Sequence, residues 1–427
     1  MWKILYSTLF ILAGAAACNA ASRSAEASTS AFPETAPIGQ TIGVQLKPWH
    51  TSDDDLARIH QAGFGLVRWG ISWDAVEKSP GVYDWSVPDA FFKRLRANHL
   101  RSVIILGQGN PLYTGTTDNH DKMTGQARQP LPPRRAQDVA LFARFAAAAA
   151  QRYADDKVVW EIWNEPDLSR FWPPESSPGD YAALASAACV AIKGADSGAT
   201  VIGPGGAAMP DTVRALAPSL LGSLASSPAA ACLDAVSAHD YRMHAGQPIP
   251  TPESVADDNA RSIQWLDANF KARPMPLVCS EWGFAEPLVS ARQQADYPLR
   301  AALSNLLSHV PVTILYEWKD SNRRDPSNPE SHYGLLDYDG GEKDGFQKLD
   351  AVLPKISDAT LVGRKPVGQD GVYAVVVRQP SGAYGLVYWR TEQARAQALA
   401  AGSQDLTLST APAYADLGGA IPTFTLR

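Results

Sequence analysis

Residues 158–167 read VVWEIWNEPD, and the fold follows from how this stretch is read. Val158, Val159, Ile162, Trp160 and Trp163 are β-branched or aromatic, and the run is too short for an independent helix, so it predicts a short buried strand. Asn164 and Glu165 arrive at its C-terminal end, and Pro166 stops the ladder by removing a backbone donor. A carboxylate at the mouth of an apolar strand loses hydration. Its pKa rises, and it can hold a proton near neutral pH and act as a general acid. Two tryptophans and a proline frame the pair, unlike a strand end that merely faces water.

Working outward, residues 276–284, PLVCSEWGF, repeat the design: an apolar run closing on Glu281. Two glutamates, each ending a hydrophobic strand, suggest a carboxylate pair brought together by one sheet. Cleavage of a glycosidic bond uses such a pair. Between and around them, strand-like runs at Thr41 to Leu46, Gly65 to Trp69, Ser102 to Leu106, Val158 to Trp163, Thr200 to Ile202, Ala235 to Ala238, Leu277 to Ser280 and Val312 to Trp318 alternate with helix-like stretches. The most marked of these helices is the alanine-rich Ala136 to Tyr153. Strand–helix alternation in series predicts a parallel sheet with crossover helices, closed at this size into an α/β (β/α)8 TIM barrel over residues 38–353. An open doubly wound sheet is the other solution, but no glycine-rich phosphate fingerprint follows the first strand. Residues 354–427 change pattern. Gly371 to Arg378, Ala383 to Arg390 and Asp405 to Ser409 predict a small C-terminal β-sandwich-like domain, completed by residues just before Thr41.

WNEPDLSRFW (163–172) resembles the acid/base motif of retaining glycosidases built on this barrel, glycoside hydrolase clan A, and is most similar to family 39 in its Leu-Ser-Arg-Phe-Trp portion. The likeness extends from residue 38 to about residue 350. It implies Glu165 as acid/base and Glu281 as nucleophile, with Asn164 bonding the sugar 2-hydroxyl. His239 and Tyr241 would be substrate or nucleophile ligands, with Tyr241 on Glu281, and Trp318 a sugar platform at the end of the last strand. Retention requires carboxyl groups about 5–5.5 Å apart, against roughly 6.5–9.5 Å for inversion. A buried Arg68 needs a carboxylate partner, either Glu281 or a loop aspartate. Glu161 is expected to face a structural arginine or lysine, and Glu317 to point away from the site. Long loops predict a shaped cleft: 107–133 with Asn110, Tyr113 and His120; the loop bearing Phe171 and Trp172; and 320–333 with Arg323 and Arg324.

Charged residues are 19% of the 427, and the net charge is −6 without a basic run, which excludes nucleic acid as partner. Twelve tryptophans and fourteen tyrosines suit both core filling and sugar stacking. Residues 1–18 look like a signal peptide, with Lys3 ahead of the apolar Ile4 to Ala17. Cys18 gives a partial lipoprotein cleavage pattern, and ordinary cleavage near Ala17 or Ala20 is the alternative. Residues 19–37 have a tether's composition. The expected protein is exported, either periplasmic, outer-membrane-anchored through a lipidated Cys18, or secreted. Cys189 with Cys232 is the first disulfide to consider, and Cys279 is a small buried thiol near the site. The chemistry calls for no metal or other cofactor, and no cluster has metal-ligand spacing. The expectation is a monomeric retaining hydrolase, endo-acting on a bacterial exopolysaccharide. The alternatives are an exo-acting β-xylosidase and a non-catalytic carbohydrate-binding barrel.

Overall fold

The structure, a computed structural model, describes residues 31–33, 35–117, 129–207, 217–242, 248–323, 325 and 328–427. The expected signal peptide, most of the tether, Cys18, His120 and Arg324 lie outside them. Eight parallel strands close a barrel: β1 (Ile42–Gln45), β2 (Leu66–Ser72), β3 (Arg101–Gly107), β4 (Val159–Ile162), β5 (Thr200–Gly206), β6 (Ala235–His239), β7 (Leu277–Gly283) and β8 (Thr313–Tyr316). Each neighbours the next in sequence, and β1 pairs with both β2 and β8, so β4 and β7 present their C-terminal ends at one mouth.

Crossover helices cover the outside. In α1 (Asp53–Gln61), Ser52 and Asp55 form a reciprocal capping box, and three aspartates occupy the first turn, where the helix dipole favours them. In α2 (Ser86–Ala97), Phe91, Phe92 and Leu95 are buried toward the barrel. Helix α3 (Ala136–Arg152) buries Val139, Phe142, Ala146 and Ala149, a stripe at helical spacing, and lies beside α4 (Pro178–Ala195). Phe142 and Phe145 are fully buried, each contributing about 1.5–3 kcal/mol of apolar transfer. Helices α5 (Val255–Asn269) and α6 (Ala291–Leu307) complete the ring. A disulfide joins Cys189 of α4 to Cys232, the pairing expected first, while Cys279 is free and buried. Among the described residues no helix is long and apolar enough to cross a membrane.

Strand alternation layers the barrel interior. Leu66, Val103, Val159, Ile202, Val278 and Ile314 form an apolar layer on which Phe32 packs. Two residues further along β2 and β4, on the same inward face, stand Arg68 and Glu161, both buried. The apolar layer keeps water from the ion pair above it.

Beyond the barrel, β9 (Thr360–Arg364), β10 (Val372–Arg378), β11 (Tyr384–Arg390), β12 (Ala398–Ala401), β13 (Gln404–Thr407), β14 (Ala413–Gly418) and β15 (Phe424–Leu426) form two antiparallel sheets, ordered β9-β10-β11-β14 and β13-β12-β15. Val372, Ala374, Val376 and Leu386 pack against Leu399 and Leu408 between the sheets, which is the sandwich-like arrangement expected. The alternate residues Val375, Val377, Val387 and Trp389 belong to the barrel's own core. The boundary expected at 353/354 falls on the short helix Leu353–Ile356. The described residues just before Thr41 do not complete a sheet: Ile38–Gln40 is a 3-10 turn, with the Ile38 and Gly39 amides bonded to Ala359 and Ser357 carbonyls, 2.8 and 2.7 Å. A three-residue turn is too short to add a ladder.

Candidate active site

At the mouth, β4 hands the chain to Glu165 through a backbone that L-residues seldom adopt. Trp163 and Glu165 have φ of 71° and 47°, a conformation costing about 1–3 kcal/mol each. Three bonds hold it. The Trp163 amide donates to Leu106 O at 2.8 Å and the Glu165 amide to Gly205 O at 2.9 Å. The Trp163 indole donates to Phe171 O at 2.9 Å. Gly205 itself has φ 57°, and a Cβ there would stand 3.0 Å from Glu161 Oε1, so glycine is required on both counts. On β6 and β7 the register slips between Ala238 and His239 and between Cys279 and Trp282. Bulges of this kind re-aim side chains at a sheet's rim, and here His239 comes opposite Glu281.

The two glutamates meet. One carboxylate oxygen of Glu165, one of Glu281 and a ring nitrogen of His239 all lie within 4.8 Å of one another. Glu281 receives Arg68 Nη1–H on Oε2 at 2.7 Å and the Tyr241 hydroxyl on Oε1 at 3.0 Å. Arg68 also donates to Glu161 Oε2, Asn164 Oδ1 and Gln45 Oε1, at 2.7, 2.7 and 3.0 Å. It thus fixes the nucleophile candidate and the asparagine with one rigid fork. Burial alone would disfavour the charge on Glu161, but Arg68 outweighs it and holds that carboxyl below its ordinary pKa. Glu281 and Glu161 both partner Arg68, and among the described residues no loop aspartate does.

Glu165 has a different environment. Burial pushes its pKa up against the pull of His239, and the charge of Glu281 adds to the rise. His239 Nδ1 meets Glu165 Oε1 at 2.7 Å. Burial alone would lower the imidazole's pKa, but Glu281 and then Glu165 outweigh it and raise it. Both shifts run upward, so each group of the pair holds a proton to higher pH than it would in water. His239 was expected as a substrate or nucleophile ligand. It lies 3.9 Å from Glu281 and bonds the acid candidate instead, because the bulge turns it toward β4.

A cavity of about 590 Å³ opens over these groups. Asn164, Tyr241, Phe171 and Arg68 line it, although Arg68 has no exposed surface and its Nη1–H is bonded to Glu281. Two tryptophans expected at the substrate, Trp318 as a platform and Trp172 on its loop, lie elsewhere. Trp318 is buried, its indole donating to Asp55 Oδ1 at 3.1 Å and its ring edge-on to Phe346. Strand β8 ends at Tyr316, so the ring in the cavity is that of Tyr316, two positions earlier. Trp172 is likewise buried, edge-on to Trp163 and Tyr181 at 5.0 and 5.9 Å, where it supports the Glu165 arm from below. Asn110 and Tyr113 do not reach the cavity. They bond Glu77, at its carbonyl (2.9 Å) and Oε1 (2.6 Å). Arg323 is exposed and paired with Asp339 at 2.9 Å. Glu317 bonds Lys47 at 2.5 Å, and burial pushes its pKa up to about 7.

Sequence reasoning missed Lys47, Tyr316, Tyr333 and Glu330, all of which line the cavity. Tyr333 stands edge-on to both Tyr241 and Tyr316, at 6.0 and 5.3 Å, forming an aromatic wall. Glu330 accepts from the Tyr316 hydroxyl at 3.1 Å, and burial raises its pKa. The only signal was position: Tyr316 ends β8, Glu330 and Tyr333 close the loop after it, and Lys47 lies two residues past β1. Glu165, His239 and Glu281 are also a donor set of the type that holds metals. Here Arg68 and Tyr241 occupy Glu281, and His239 Nδ1 is committed to Glu165. A guanidinium 2.7 Å from Glu281 already supplies the positive charge a metal would bring.

No curated protein matches the chain. Solved structures with the same fold include a family 39 glycoside hydrolase from Bacteroides cellulosilyticus WH2, at 19% identity and TM-score 0.69 over 89% of this chain and 81% of that one. A monomeric β-xylosidase from Caulobacter crescentus CB15 matches at 18% identity and TM-score 0.61, over 84% and 76%. An endo-β-1,6-glucanase matches at 10% identity and TM-score 0.62, over 88% and 90%. The family 39 likeness suggested by WNEPDLSRFW thus holds at the level of fold. The model of the family described as Cellulase (glycosyl hydrolase family 5) matches residues 27–319, more than half the sequence and nearly the whole barrel. With that match and a glutamate pair at the barrel mouth, the chain belongs to this clan A family and is a glycoside hydrolase.

Proposed function

We propose that the chain is a retaining β-glycosidase working by double displacement, endo-acting on a bacterial exopolysaccharide. The observation that supports retention is the approach of Glu165 and Glu281, whose carboxylate oxygens come within 4.8 Å. That approach suits the short carboxylate spacing of retaining enzymes rather than the wider one of inverting enzymes. Glu165, with its raised pKa, protonates the departing oxygen while Glu281 forms the glycosyl-enzyme. Glu165, then ionised, takes a proton from the water that releases the sugar. His239 holds Glu165 in place, and Arg68 and Tyr241 fix the two oxygens of Glu281. Asn164, pinned by Arg68, is positioned for the sugar 2-hydroxyl, a contact that strengthens in the transition state.

The first-formed anomer of an aryl β-glycoside's hydrolysis, followed by proton NMR, tests this. The β-anomer is expected, and an α-anomer would refute the mechanism. Azide should restore turnover to Glu281→Gly and give an α-glycosyl azide. Rescue of Glu165→Gly with that product instead would exchange the two roles.

The endo mode draws support from the open cavity and from the endo-acting structural relative. The β-xylosidase relative supports exo-action, and the product lengths released from a polysaccharide separate the two. Export is supported by the apolar N-terminal stretch and by the Cys189–Cys232 disulfide, a bond typical of oxidising compartments. Fractionation of cells expressing Cys18→Ser would show whether a membrane-held form becomes soluble.

A further inference from the structure

Among the large apolar residues described as exposed, one is a tryptophan. Trp49 leaves 83% of its surface in water. Burying such a ring yields more than burying any other side chain, so an indole held in water on a rigid turn offers a ready apolar contact face. The turn is rigid. Trp49 sits in the 3-10 turn Pro48–His50 between β1 and α1, with proline fixing the first φ. The His50 amide donates to Lys47 O at 2.9 Å, and Thr51 Oγ1 donates to the same carbonyl at 2.7 Å. The His50 ring stacks on Tyr338 with centroids 4.4 Å apart, and its Nε2 meets Tyr338 O at 3.0 Å. Arg323 lies over the other ring of that stack, 5.2 Å from the Tyr338 centroid. The loops after β1 and β8 are thus clamped together, and Trp49 stands on the clamp with its ring free.

Its place relates it to the cavity. The turn follows the C-terminal end of β1, the same end of the barrel as Glu165 and Glu281, and Lys47, two residues earlier, lines the cavity wall. Two residues put the Cα of Trp49 within about 7 Å of that wall. An exposed indole on a preorganised turn beside a carbohydrate cleft presents a flat apolar face, the complement of the C–H face of a pyranose ring.

We propose that Trp49 is a stacking platform for a sugar unit outside the cavity, so that the enzyme binds a β-linked glycan longer than the cavity holds. The inference rests on the glycoside hydrolase reading of the site and deepens it by assigning a distal subsite. The platform touches neither glutamate, so it acts on long substrates alone.

The test compares the wild type, Trp49→Ala and Trp49→Phe on linear β-1,6-glucan and β-1,4-xylan, and on aryl β-glucoside and β-xyloside. Trp49→Ala should lower kcat/KM on the polymer by about ten-fold, mostly through KM. On the aryl glycoside it should stay within about two-fold of wild type, as for a surface change. Trp49→Phe should recover most of the loss. Equal effects on polymer and aryl glycoside, or none on the polymer, would overturn the proposal. So would a wild type that cleaves aryl glycosides but neither polymer, which leaves the hydrolase reading standing. A wild type inactive on all four would remove that reading and this one together.

Discussion

Replacing Arg68 by methionine should separate two roles that one side chain performs. Arg68 has 0% exposure and is paired to Glu161, also 0% exposed, at 2.7 Å, and to the partly exposed Glu281 at the same distance. Methionine fills much of the volume but leaves Glu161 charged and unpaired over an apolar layer. Breaking a buried pair in this way costs about 3–5 kcal/mol. Glu281 adds little, since cavity water can solvate it. The deficit should depend on pH with a definite sign. In the wild type, Glu161 is held below its ordinary pKa, so its pairing stabilises above the unfolded-state pKa and is lost as pH falls through the folded one. In Arg68→Met, the largest opposing influence is gone, burial outweighs what His239, Ser280 and Ser237 still supply, and the folded pKa rises instead. The destabilisation is then full at neutral pH and shrinks on acidification toward the unfolded value, as Glu161 goes neutral. Denaturant melts at pH 7 and pH 5 measure both. Adding Glu161→Gln should return most of the stability, because no buried charge remains. Activity should stay lost, because Glu281 still lacks its cation. A single variant within about 1 kcal/mol of wild type, or a double variant as unstable as the single one, would refute the reasoning.

Three further outcomes follow from the same geometry. Glu165→Gln should cut turnover of substrates with poor leaving groups by about 10²–10⁴ and spare activated aryl glycosides, which steady-state kinetics on a leaving-group series would show. In His239→Ala, the pull that lowers the pKa of Glu165 disappears while burial remains. The alkaline limb of the pH–rate profile should therefore move up as kcat falls, and a downward shift would contradict the assignment. Arg300 of α6, bonded to Glu253 at 2.6 and 2.8 Å and to Glu392 at 3.2 and 3.3 Å, ties the barrel to the C-terminal sheet, whose Trp389 indole also donates to Glu253 at 2.7 Å. Arg300→Met should destabilise by about 3–5 kcal/mol in thermal or denaturant melts, leaving KM near wild type.

Several contacts were legible because they depend on strand periodicity. Inward-pointing residues near a barrel's mouth converge wherever they lie in the sequence, so Arg68 and Glu281 could be joined before any coordinate, while the bond of Tyr241 to Glu281 was implied by the family resemblance. The pairing of Glu161 with an arginine followed from the same alternation. Trp318 and Trp172 failed because a pattern states which face a residue takes only while the strand lasts. Strand β8 ends at Tyr316, and past that point packing against α1 and Phe346 decides. The C-terminal strands β9, β12, β14 and β15 are short and lie partly at sheet edges, where hydrophobic alternation is weak.

The alternating strands and helices, the two glutamates at strand ends and a cysteine pair that could bridge were all readable from the residues alone. These are local or periodic properties of the chain. It took the folded chain to show that His239 bonds Glu165, that Tyr316 and Tyr333 line the cavity where Trp318 and Trp172 do not, and that Glu330 enters it. Those depend on bulges and on loops arriving from distant segments. Such placements are set by long-range packing and burial, which no window along a single strand contains.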